Sequence, residues 1–243
     1  MRLLFTGIIT SGIVALLMQS NLGNLIPGMT TENPCGNGMW AWRPAAIESL
    51  HEDHTPYLFQ GLFFVASGTE QYQFQGVRPF RVQKSTCDLI LTYRFDDLVP
   101  VEMVAARFRV HRRVWQDELN RVAGLQVDFD SPSAGLGAYA QWLHDLRNVL
   151  PIETAVSITG LPDWLVSAPP QELQALASEA DFIAFMMYRG TTPVQDPASY
   201  YTVLRKSDVR FKIGLLPTQD RDQQIAQVRN SPGYLGTSIF ITK

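Results

Sequence analysis

Eight short apolar runs, separated by stretches with helical periodicity, predict a single α/β domain over residues 39–243, a (β/α)8 TIM barrel. Two observations carry that expectation. Several runs, such as Leu58–Val65 and Phe182–Met187, are almost continuously apolar, as strands covered on both faces must be. The segments between them repeat apolar residues at three- and four-residue steps, which lays a single stripe along a helix. An open doubly wound sheet is the competing arrangement. It is disfavoured because no strand leads into a Gly-x-Gly-x-x-Gly turn and no phosphate-binding loop is present.

The runs fall at Met39–Arg43, Tyr57–Ala66, Asp88–Phe95, Gly124–Asp130, Ala155–Leu161, Asp181–Tyr188, Phe211–Pro217 and Thr237–Thr242. Between the third and fourth, Val101, Val104, Ala105, Phe108, Trp115, Leu119 and Val122 mark a long amphipathic helix. Leu136, Tyr139, Ala140, Leu143, Leu146 and Leu150 mark a second, and Pro170 followed by Leu173, Leu176 and Ala177 a third. Ile225 and Val228 suggest a shorter helix after the seventh run. Only Ser67–Thr86 breaks the alternation, because the spacing of Tyr72, Phe74, Phe80 and Val82 fits a hairpin or an irregular loop. In such a barrel, function belongs to the C-terminal ends of the strands and the loops that follow.

Composition narrows the function. A chain of 243 residues with 46% hydrophobic content is not predominantly disordered, and 20 Lys+Arg against 23 Asp+Glu give no field for tracking phosphates, so nucleic acid is not an expected partner. Two cysteines and four scattered histidines, His51, His54, His111 and His144, offer no metal pattern; neither a metal nor another cofactor is expected. A Gly-x-Ser-x-Gly elbow is absent. Residues 1–20 have the layout of a signal peptide, with an uncleaved membrane anchor and a buried helix as the other readings. Residues 21–38, rich in Gly, Pro, Asn and Thr, read as a tether. Either leading reading makes the domain periplasmic or secreted, with membrane attachment through the anchor as the variant. A bond between Cys35 and Cys87 would persist there. The basic stretch Arg107–Arg113 is expected to be a solvated helix face, with an anionic polymer, lipid headgroups or a protein partner as the alternatives.

The most informative segment is Gly124–Pro132. Side chains alternate along a strand, so Gln126, Asp128 and Asp130 share one face and Leu125, Val127 and Phe129 the other. The apolar set belongs under helices and the polar set inside the barrel. Two acids close together near its mouth should differ in proton affinity through burial and mutual repulsion, the arrangement used to protonate a leaving group. Helix capping before Pro132 is the plainer account of Asp130, but it does not explain Asp128 and Gln126 on the same face.

Aromatic side chains beside hydrogen-bonding groups suit the flat C–H faces and hydroxyl edges of sugars. Strand ends supply both: Trp40 and Trp42 on the first run, Tyr93-Arg94 on the third, Asp163-Trp164 after the fifth, Tyr188-Arg189 on the sixth and Gln219 after the seventh. Arg94 or Arg189 could instead pair with Asp128 or Asp130, which would lower the acids' pKa and oppose proton donation.

The fourth run resembles the Asp-Gly-x-Asp-x-Asp-x-Glu signature of chitinase-type family 18 glycoside hydrolases. By that resemblance Gln126 and Asp128 stand where the second and third Asp lie, and Asp130 where the proton-donating Glu lies. Asp130 is one methylene shorter than that Glu. Met186-Met187-Tyr188 is similar to that family's Met-x-Tyr, whose Tyr lies beside the substrate's acetamido group. Over most of the domain the chain is more similar still to the bacterial family called domain of unknown function 3142. That similarity is carried by Met39–Arg43, Gly124–Pro132, the helix from Tyr139 to Pro151, and Ser157–Leu165. The resemblance implies a glycosidase-like barrel but supplies no substrate or mechanism; the residues and the N-terminal segment add the expectation of action on an extracytoplasmic oligo- or polysaccharide, with Asp130 as acid, Asp128 as its partner and Tyr188 orienting the substrate. Gln126, Trp40, Trp42, Tyr93, Arg94, Trp164, Arg189 and Gln219 are the candidate sugar contacts. The alternative is a barrel that binds glycan or cell-envelope polymer without cleaving it.

Overall fold

The computed structural model describes residues 35–241. In chain order the elements are β1 (Gly38–Ala41), β2 (Thr55–Ala66), β3 (Thr69–Phe74), β4 (Leu89–Phe95), α1 (Val101–Asp117), β5 (Val122–Phe129), α2 (Leu136–Val149) and β6 (Ala155–Gly160). They continue with α3 (Trp164–Ser167), α4 (Pro170–Glu179), β7 (Ile183–Met186), β8 (Tyr188–Arg189), β9 (Thr192–Pro193), α5 (Ala198–Leu204), β10 (Phe211–Leu215), α6 (Arg221–Val228) and β11 (Tyr234–Ile241). Strands β1, β2, β4, β5, β6, β7, β10 and β11 pair in that order, all parallel, and β11 pairs back onto β1. This is the closed eight-stranded barrel that the runs predict.

Two segments differ from a regular (β/α)8 pattern. A 3-10 turn, Pro44–Ser49, follows β1. After β2 the chain turns at Ser67-Gly68, both at positive φ, and returns as β3, antiparallel to β2. An irregular stretch then leads to β4, so among the described residues no helix covers this side, as the aromatic spacing of 67–86 indicates. Helix α1 is also shorter than its periodicity suggests. It stops at Asp117, Leu119 takes φ +61°, Asn120 Nδ2 caps the Trp115 carbonyl at 2.9 Å, and Val122 opens β5.

Strand alternation divides the core into two layers. Leu91, Phe95, Leu125, Val127, Val156 and Ile158 are buried beneath the helices, against residues such as Phe108 and Trp115 of α1 and Tyr139 and Leu146 of α2. The interior holds Trp40, Tyr57, Ile90 and Ala184, with Trp42, Phe182, Met186 and Phe240 packed on them. Gly214 makes room for this: a methyl group there would stand 3.1 Å from the Trp40 ring. Lower in the barrel the Lys212 amine donates to the Tyr57 hydroxyl at 3.1 Å and lies over the Phe182 ring at 4.9 Å. Burial pushes its pKa down to about 8.

Cys35 and Cys87 form a disulfide with a Cα–Cα distance of 5.7 Å, joining the chain before β1 to the start of β4. Asn37 adds hydrogen bonds from Thr55 N to its carbonyl and from Thr237 N to its side chain. The reading of residues 1–20 as a signal peptide or anchor, and most of the tether, lie outside the described residues. Among the described residues no helix is long and apolar enough to cross a membrane.

Two stability predictions follow from these contacts. Cys35→Ser, or reduction, frees a loop whose ends are 52 residues apart; it should cost about 2–4 kcal/mol in a denaturant titration. Lys212 in the folded protein releases its proton near pH 8, against 10.5 ordinarily, so between those values the folded state binds fewer protons and stability rises with pH. Below that window the charged amine costs about 3 kcal/mol. Lys212→Met should therefore gain most of that at neutral pH, with the gain shrinking as the pH approaches 10.

Candidate active site

Strands β4 and β5 place Arg94 and Asp128 side by side at the C-terminal end of the barrel. The guanidinium of Arg94 bridges both acids: Nη1 donates to Asp128 Oδ2 at 3.1 Å and Nη2 to Asp130 Oδ2 at 2.6 Å. Thr159 on β6 donates its hydroxyl to the other Asp128 oxygen at 2.7 Å. The Asp128 side chain is 8% exposed and that of Asp130 51%. Burial pushes Asp128 above the usual carboxylate range; the Arg94 charge and the Thr159 hydrogen bond pull it back, and Asp130 adds a smaller upward push. Both Asp128 oxygens accept hydrogen bonds, which suits the ionised form. Burial works against the Arg94 charge, but the two carboxylates outweigh it and hold the guanidinium above its ordinary pKa.

Beside this triad lies a cavity of about 330 Å³. Its wall is aromatic and continuous. Trp42 stacks on Phe59 at 4.4 Å, meets Phe240 edge-on at 5.4 Å, and Phe240 stacks on Tyr188 at 5.8 Å. Leu161 and Met186 fill the remaining apolar wall. The Tyr188 hydroxyl donates to the Met186 thioether at 3.6 Å. Burial, reinforced by the nearby Asp128 and Asp130, raises its pKa well above the ordinary value, so it stays a neutral donor. At the rim, Arg189 pairs with Asp163, whose other oxygen accepts from the Tyr200 hydroxyl at 2.8 Å.

Asp128, Asp130, Arg94, Tyr188, Trp42 and Arg189 thus meet at one cavity. The other five candidates lie elsewhere. Trp40 and Gln126 do point inward, but too deep: the Trp40 indole donates to Gln126 Oε1, and Gln126 Nε2 donates to Ser157 Oγ at 3.3 Å, all within the closed interior. Tyr93 faces outward, because its neighbour Arg94 takes the inside; its ring stacks on His111 and its hydroxyl meets His111 Nδ1 at 3.0 Å. Trp164 is buried in the outer layer, donating to the Ser131 carbonyl at 2.8 Å. Gln219 clasps its own loop, accepting from Leu216 N and donating to the Met187 carbonyl. Sequence reasoning missed Phe240 and Thr159. Phe240 lies in the last apolar run, where alternation with Ile239 and Ile241 was its available signal.

The arginines of α1 are largely engaged locally: Arg107 lies over the Tyr72 ring at 5.1 Å, Arg109 donates to the Val149 carbonyl, and Arg112 faces Glu153 at 3.6 Å. Among the described residues no group of three His, Cys, Asp or Glu could hold a metal ion.

Residues 88–199, a little under half of the chain, match the family described as Domain of unknown function (DUF3142), and the stretch contains Arg94, both acids, Thr159 and Tyr188. No curated protein matches the chain. Solved structures share this fold at low identity. Concanavalin B is 13% identical, with a TM-score of 0.51, covering 86% of this chain and 93% of its own. The xylanase and alpha-amylase inhibitor protein XAIP-II from Scadoxus multiflorus is 12% identical, with a TM-score of 0.53 and coverages of 84% and 91%. Active domain 2 of a thermostable chitinase from Pyrococcus furiosus, solved as catalytic site mutants with chito-oligosaccharides, is 11% identical, with a TM-score of 0.51 and coverages of 84% and 82%. The barrel is therefore glycosidase-like in fold.

Arg94→Met should leave two neighbouring carboxylates without their cation, costing about 2–3 kcal/mol at neutral pH after allowance for the partial exposure of the site. Adding Asp128→Asn should recover much of that loss. A double-mutant cycle by thermal or denaturant unfolding measures the coupling.

Proposed function

We propose that the mouth of this barrel binds an extracytoplasmic oligo- or polysaccharide and does not cleave it. The observation that carries this reading is the Arg94 bridge. A proton donor must hold its proton until the leaving group needs it. A carboxylate bonded to a guanidinium is instead stabilised in its ionised form. Asp130, one methylene shorter than the glutamate of the family 18 signature, also reaches less far into the cleft, and displacement of about an ångström costs orders of magnitude in rate.

Recognition uses what remains. The faces of Trp42, Phe240 and Tyr188 suit the C–H face of a pyranose, and Arg94, Asp130 and Arg189 supply edge contacts for hydroxyls. The fold is shared with a chitinase solved with chito-oligosaccharides and with a protein named as an inhibitor, so the frame alone does not fix one role. A periplasmic or secreted location, free or held by the N-terminal segment, agrees with the Cys35–Cys87 bond.

Hydrolysis is the second reading, favoured by the upward push of burial on Asp128. In that case Asp130 serves as acid, while Asp128 and Tyr188 orient a substrate carbonyl. One experiment separates the readings. The purified protein is titrated calorimetrically with oligosaccharides of several linkages, and each mixture is assayed for new reducing ends across the acid to neutral range. Binding should occur without turnover, and Trp42→Ala should weaken it by about tenfold or more. Reducing ends that accumulate with wild type and vanish with Asp130→Asn would establish hydrolysis instead.

A further inference from the structure

The cavity floor is unequally charged: one guanidinium, Arg94, faces two carboxylates, leaving one negative charge in excess when both acids are ionised. The rim does not cancel it, because Arg189 is already paired with Asp163. Asp130 gives only Oδ2 to Arg94, and half of its side chain stays exposed at the mouth. The rings of Trp42, Phe240 and Tyr188 line the same cavity. The Tyr188 hydroxyl is held at 6% residue exposure against a thioether, a weak acceptor. Carboxylates and aromatic faces in one cavity stabilise an organic ammonium through an ion pair and cation–π attraction together. A neutral sugar leaves the excess charge uncompensated, and a uronic acid adds to it.

We propose that the saccharide recognised at this cavity carries a free, protonated amine, as in a de-N-acetylated hexosamine oligomer. The inference rests on the saccharide-binding reading above and narrows it to one class. It is tested by calorimetric titration of the purified protein with a β-1,4-glucosamine hexamer, its N-acetylated counterpart and cellohexaose. At a pH where the sugar amine is protonated, the glucosamine hexamer should bind about tenfold tighter than the other two. The preference should fall when the amine is neutralised at higher pH, when salt is raised, and in Asp130→Asn, whose folding is checked by thermal unfolding. The groups facing the amine are Arg94, Asp128, Asp130, Tyr188 and Arg189, so cellohexaose serves as the control for their own titration. Equal affinity for the free-amine and N-acetylated hexamers overturns this inference and leaves saccharide binding standing. Binding to none of the three overturns both.

Discussion

The guanidinium of Arg94 is the group on which the upper end of this barrel depends. Strand alternation forces Asp128 inward, and the chain then brings Asp130 close to it, so two like charges converge where water is scarce. Without a cation one of them would take up a proton or turn away. Arg94 sits at the position of β4 that is in register with Asp128, and its planar fork reaches both acids at once. That one contact opposes the upward push of burial on an acid with 8% side-chain exposure, holds one oxygen of Asp130 and places a positive charge between the two acids.

Below the triad, buried polar groups are set among the aromatic and aliphatic side chains of the barrel interior. Trp40, Gln126 and Ser157 form a hydrogen-bonded chain in the middle, and Lys212 rests between Tyr57 and Phe182 further down. Each such group costs desolvation that its partner offsets only in part. Lys212, with only a neutral hydroxyl acceptor and aromatic rings around it, is the clearest case, since burial lowers its proton affinity. Stability comes from the other layer, where aliphatic and aromatic side chains of the strands meet the helices. The interior positions groups, and the exterior holds the barrel closed.

This division explains what the sequence made legible. Period-two alternation put Asp128 and Gln126 on the inward face, and near-continuous apolar runs signalled strands covered on both sides. Depth along the barrel axis was not readable: Gln126 is only two residues from Asp128, but at about 3.3 Å per residue that step separates the mouth from the closed interior. Register between strands was equally hidden, so Arg94 and Arg189 were equal candidates for pairing with the acids until β4 and β5 were seen side by side. Tyr93 was grouped with Arg94 by adjacency, although neighbours on a strand cannot share a face. Trp164 and Gln219 follow their strands in turns, where no periodicity indicates direction. Phe240 needed the closure of β11 onto β1 to arrive beside Trp42.

The same geometry bears on how a glycosidase-like barrel differs from a glycosidase. Hydrolysis by this type of cleft requires a carboxyl group that keeps its proton, and such a group needs burial without a nearby cation. Here the two conditions fall on different residues. Asp128 has the burial but faces Arg94 and Thr159, whereas Asp130 has the reach toward the mouth but is half exposed and bonded to the same guanidinium. In the proposed reading the aromatic wall and the charged floor serve recognition alone, because holding a sugar needs only complementary surfaces and an appropriate charge. On that proposal, Arg94 is the group that favours recognition over cleavage while leaving the cavity open to a ligand.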